Sequence, residues 1–143
     1  MSLLRRGLSL VWEAPQTALG AGMLAAEAAR KRIVGIEVDG GRLVVESTGT
    51  GISLGHIVFW SRENSRWHDL DLRNRAHELG HTKQSRLLGW LYLPLVGLPS
   101  ISRAGYALLY REVTGRQWTR YYDGYPENWA DRLGGVERDK EQA

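Results

Sequence analysis

The sequence predicts an α+β domain, and three observations carry that prediction. An alanine-rich apolar stretch spans residues 8–29, "IVGIEVDGGRLVVES" alternates around a glycine turn, and the second half holds two segments with helix start and stop signals. At 143 residues the chain can bury one core, so we expect a single domain over 1–135 and a solvated tail at 136–143.

The first element is an apolar helix at 8–29. It makes no convincing signal peptide, because Glu13, Pro15 and Gln16 interrupt it and no clean cleavage site follows. Its length approaches a bilayer span, yet Glu13, Gln16 and Glu27 are expensive there and Pro15 bends a helix. An amphipathic or core helix is therefore favoured over an embedded one, and the chain is expected in the cytoplasm, with membrane association left open. Strands follow at Ile33 to Val38 and Arg42 to Ser47 around Asp39-Gly40-Gly41, then a third, Ile52 to Trp60. These predict a small antiparallel or mixed sheet of three to four strands.

"SRENSRWHDLDLRN" reads as a loop whose Asp69 or Asp71 caps the next helix, Leu72 to Leu88, ended by Gly89. The apolar run 87–101 is broken by Pro94, Gly97 and Pro99, which makes it a buried or membrane-touching connection. Ser100 then caps a helix from Ile101 to Val113, with Gly115 beyond it. The aromatic loop "RQWTRYYDGY" leads into a short helix opened by Pro126 and closed by Gly134 and Gly135. Trp90, Tyr92, Trp118 and Trp129 read as packing residues.

Composition narrows the chemistry. With no cysteine, any metal must be held by His, Asp or Glu, which suits zinc in a catalytic setting. The net charge of +3 is spread along the chain with no basic run longer than Arg30 to Arg32, so nucleic acid is not expected, while a pI near 9.4 permits contact with anionic surfaces.

The chemistry gathers in "RNRAHELGHTKQS", residues 73–85. His77 and His81 are four apart, so on a helix they present their rings to one point, while Glu78 lies about 100° round from His77, placed to accept a proton from metal-held water. The alternative is a surface helix with solvated histidines, whose exposed side Lys83, Gln84 and Arg86 would mark. A third ligand comes from "YPENWADRLGGV": Glu127 would complete the metal set and Asp131, one turn on, would hold a histidine ring N–H. Its alternative is an acidic helix surface with Asp131 paired to an arginine. His56, on the strand face of Leu54 and Val58, is either a core histidine or a site contact. Tyr121, Tyr122, Tyr125, His68 and Arg120 are the candidates for an oxyanion or substrate contact, with packing under the loop as the alternative for the tyrosines.

HExxH followed by an ExxxD helix resembles the gluzincin zinc metallopeptidases. "HELGH" and "ENWADRLGG" are similar in detail to the branch containing the CAAX prenyl proteases and bacterial heat-shock membrane proteases. That resemblance implies a minimal zincin-like fold and zinc on His77, His81 and Glu127. It also implies Glu78 as general base, Asp131 behind a ligand, a peptide or protein substrate, and the strand in "ISLGHIVFW" pairing with that substrate, Gly55 allowing close approach. The chain also resembles a group of short bacterial proteins carrying "HExGHxxQSxxLGxLYL" and "WADxLGGV" runs, which imply no particular activity. Only 45 residues separate His81 from Glu127, leaving no sizeable second lobe. A non-catalytic, metal-stabilised binding or membrane-associated module is therefore the alternative to a peptidase.

Overall fold

β-Branched residues form the sheet, and the sheet orders the helices around it. The computed structural model describes residues 3–49, 51–62 and 72–138. Asp69, Asp71 and His68 lie outside these residues, as does the end of the expected tail, 139–143.

The sheet has four strands: β1 (Ile33–Asp39), β2 (Arg42–Ser47), β3 (Ile52–Leu54) and β4 (Ile57–Trp60), in the order β1-β2-β4-β3. It is mixed, because β2 and β4 run parallel while β1–β2 and β3–β4 are antiparallel. The single strand expected over Ile52 to Trp60 is thus a hairpin. Gly55 adopts φ +63°, a left-handed conformation that a side chain resists, and the chain folds back there instead of running on.

Alternation sets the two faces of the sheet. Val44, Val58 and Trp60 point one way and pack against Leu79 of α3 (Leu72–Leu88). Val45, Ile57 and Phe59 point the other way, toward Met23 and Leu24 of α2 (Ala14–Ala29). The sheet therefore lies between α2 and α3, and α5 (Glu127–Gly134) packs on α3.

The expected helix 8–29 is two helices, α1 (Leu3–Trp12) and α2, which part at Glu13. Pro15 sits in the first turn of α2, where its missing N–H is harmless but where it cannot continue a helix from behind. Glu13 turns its carboxylate inward to Arg42, at 2.9 and 3.0 Å, and both side chains are buried.

Residues 87–101 are helical rather than a connection. A 3-10 turn (Gly89–Leu91) and a π turn (Leu93–Gly97) run straight into α4 (Leu98–Thr114). Pro94 and Pro99 both fall in first turns, which explains why neither breaks the run, and Ser100 lies inside α4 instead of capping it. Tyr92 is buried as expected of a packing residue, whereas Trp90 is 60% exposed.

Candidate metal centre

α3 buries six polar side chains, His77, Glu78, His81, Thr82, Gln84 and Ser85, in a 17-residue helix. Buried polar groups cost stability unless partners are supplied, so a helix built this way has been selected for something other than packing.

One partner is α5. The two helices meet backbone to backbone: a Cβ on Gly80 would run into the carbonyl oxygen of Ala130, and one on Gly134 into that of Ala76. Such contact brings the α5 carboxylates over the α3 histidines. His77 Nε2 lies 2.9 Å and His81 Nε2 3.3 Å from Glu127 Oε2, and the two Nε2 atoms are 3.2 Å apart. All three residues are buried.

The other ring nitrogens fix the tautomers. His77 Nδ1 donates to Asp131 Oδ1 at 2.7 Å. Gln84 Nε2 donates to the Pro126 carbonyl at 3.1 Å, which turns Gln84 Oε1 toward His81 Nδ1 at 2.7 Å. A carbonyl only accepts, so the amide orientation is settled and His81 carries its proton on Nδ1. Both Nε2 lone pairs therefore face a carboxylate oxygen, three acceptors converging with only a cation or a proton to reconcile them.

That arrangement fits zinc. Ligand bonds of 2.0–2.1 Å place the corners of a tetrahedron about 3.3 Å apart, close to the observed triangle.

Without metal, a proton takes that role. Burial disfavours the His77 imidazolium, but the Asp131 and Glu127 hydrogen bonds and the charge of Glu78 outweigh it and push His77 up to about 10. Burial likewise opposes ionisation of Glu127 and Asp131. The histidine bonds, with Arg138 aiding Asp131, overcome it and hold both below the usual carboxylate range.

The structure thus brings together His77, His81, Glu127 and Asp131, with Glu78 buried on the same helix and its charge acting on His77. Of the tyrosines, Tyr122 meets the His77 ring edge-on at 5.2 Å and carries the Arg138 guanidinium 3.2 Å from its own ring centre. Burial, then the charges of Glu127 and Glu78, push the Tyr121 phenol up, so it stays a neutral donor beside the carboxylates. Tyr125 is elsewhere, donating to the Leu95 carbonyl and stacked on Trp129. Arg120 is exposed, 3.9 Å from Asp123.

His56 belongs to the β3–β4 turn, not to a strand face, and its Nε2 sits 3.2 Å from Ser9 Oγ and 3.6 Å from Glu13 Oε1. The sharp turn at Gly55 carries it toward α1. β3 is an edge strand, but Tyr92 covers it: Tyr92 donates to the Ser53 carbonyl at 3.0 Å, and Ser53 is 3% exposed. The Ser53 edge is therefore closed to strand addition, and Gly55 abuts Thr17 of α2 rather than an open cleft.

Two contributors were not singled out from sequence. Gln84, which polarity places on the exposed side of the helix, is fully buried; its position one turn after His81 is the available signal. Arg138, assigned to the tail, reaches back to both Asp131 oxygens, and the only signal was the spare valence of Asp131. Compared with protein-family models, curated proteins and solved structures, the chain matches none of them.

Proposed function

We propose that the protein is a zinc-dependent metallopeptidase. The observation that carries this reading is the convergence of two imidazole Nε2 atoms and a carboxylate oxygen, with a further buried carboxylate, Glu78, on the same helix as the two histidines. His77, His81 and Glu127 hold the ion, and Asp131 and Gln84 keep the rings turned toward it. Bound zinc supplies Lewis-acid polarisation and brings the pKa of water down to about 7.

Glu78 does the proton work. It takes a proton from the attacking water as the oxygen bonds to the peptide carbonyl carbon, then delivers that proton to the nitrogen as the carbon–nitrogen bond breaks. The products are a carboxylic acid and an amine.

A second reading, a metal-stabilised module without activity, is favoured by burial. His77, Glu78, His81 and Glu127 are 3, 5, 4 and 0% exposed, and the Ser53 edge that a peptide would pair with is covered. Glu78→Gln separates the two readings. Under the peptidase reading it keeps about one zinc per chain and loses hydrolysis of an unfolded protein substrate by at least roughly a thousandfold. A wild-type chain that holds zinc, unfolds on chelation and hydrolyses nothing would leave the module standing.

A further inference from the structure

β1 is an edge strand whose outer side pairs with no other strand among the described residues. Such edges are commonly blunted by proline, lysine or short length, since a bare one invites another strand. β1 runs for seven residues, IVGIEVD, with neither proline nor lysine. Its side chains on the α2 side of the sheet are Val34, Ile36 and Val38, which are 62, 54 and 75% exposed.

The pairing of β2 shows where the free backbone groups of β1 point. The Leu43 N–H donates to the carbonyl of His56, just before β4, at 2.9 Å, so Leu43, and Val45 two residues on, turn their backbone groups toward β4. Their partners on β1 are Val38 and Ile36. Both therefore aim N–H and C=O outward, away from β2. The register shift between Ile33 and Gly35 makes Val34 a bulge that ends the regular ladder on that side.

The sequence of this edge is complementary to itself. An antiparallel copy related by a two-fold axis at Ile36 exchanges both backbone bonds with Ile36 of the second copy and sets Val38 against its Val34. On the other side of the sheet Glu37 then lies opposite Gly35 of the second copy, so no acid meets an acid. Asp39 falls opposite Ile33 of the second copy, beside the exposed run Arg30 to Arg32, and the two-fold repeats this attraction at the other end. The backbone pattern lets the axis move only by two residues. At Val38 it would set Glu37 against Asp39 of the second copy; at Val34 it would need an extended Lys31, whose φ is +56°. We propose that two copies of the chain pair antiparallel through β1 about an axis at Ile36, joining their sheets into one.

Sedimentation equilibrium of the full chain up to about 200 µM tests this, because so short a ladder makes a smaller interface than stable dimers have. A reversible monomer–dimer equilibrium is expected. Ile36→Lys, which sets like charges on the axis, should weaken it at least roughly tenfold and leave the circular dichroism of the monomer unchanged, since Ile36 is half in solvent. The chain has no cysteine, so Ile36→Cys adds a single thiol. Oxidised with diamide it should give a disulfide dimer, as Cα atoms paired across the axis lie about 5.5 Å apart. Val38→Cys should remain unlinked, because in this register the two copies of that residue are offset by roughly 13 Å along the strands. A chain that stays monomeric, with Ile36→Cys unlinked, would overturn the proposal and leave the edge to an extended segment of another protein. A dimer that survives Ile36→Lys, or that links better through Val38→Cys, would overturn it as well.

Discussion

Gln84 separates two tasks that one side chain performs. Its oxygen accepts from His81 Nδ1 and its nitrogen donates to the Pro126 carbonyl, so it sets both a ligand ring and the start of α5. Gln84→Ala leaves the His81 N–H without its acceptor in a buried setting. Zinc affinity, measured by competition with a chelating dye, should fall by about tenfold to a hundredfold. Gln84→Glu restores the acceptor to His81 but not the donor to Pro126, so affinity should recover while thermal stability does not. Equal loss in both variants would mean that Gln84 acts only by tying α3 to α5.

Among the elements, the pairing of α3 with α5 controls the site most directly. Gly80 and Gly134 allow the two backbones to touch, and the Nε2 to Oε2 distances of 2.9 and 3.3 Å depend on that closeness. Gly→Ala in a helix ordinarily stabilises by about 0.5–1 kcal/mol. Gly22→Ala in α2, where a Cβ meets nothing, should show that gain. Gly80→Ala should do the reverse, lowering the thermal midpoint and abolishing stoichiometric zinc, because the Ala130 carbonyl is in the way. A Gly80→Ala chain that still binds one zinc would show that the helices can part without cost to the site.

Across the whole molecule, Glu13 ties three layers together. It leaves the α1–α2 junction, pairs with Arg42 of β2 and accepts from Ser85 of α3. Burial opposes its ionisation, but the hydrogen bonds from Arg42 and Ser85 and the Arg42 charge prevail and hold its carboxyl below the usual 4.5. A folded pKa below the unfolded value gives stability that is complete above about 4.5 and is lost as pH falls through the lower, folded value. Glu13→Gln should therefore cost about 3–5 kcal/mol near neutrality, by stranding buried Arg42, and the gap from wild type should narrow in acid. Denaturant melts of both chains across this pH range would check it; a gap independent of pH would remove the ion pair from the account.

Local pattern was enough for some features and not for others. The bounds of α3, the turn between β1 and β2, and the i, i+4 spacing that puts His77 and His81 on one helix face all follow from residues within a short window. Distant contacts did not show in the pattern. Gly55 could equally have sat inside a strand, and only the packing of the hairpin against α2 decided for a turn. Polarity alone assigned Gln84 to solvent, Arg138 to a tail and Glu13 to an interrupted helix, yet each is held by a partner on another element or beyond the end of its own. The sequence determined which groups could act on a metal, because helical spacing is a property of the chain itself. Tertiary structure decided which polar groups are buried and what they face, because a buried polar group is tolerated only where a partner from elsewhere in the fold arrives to meet it.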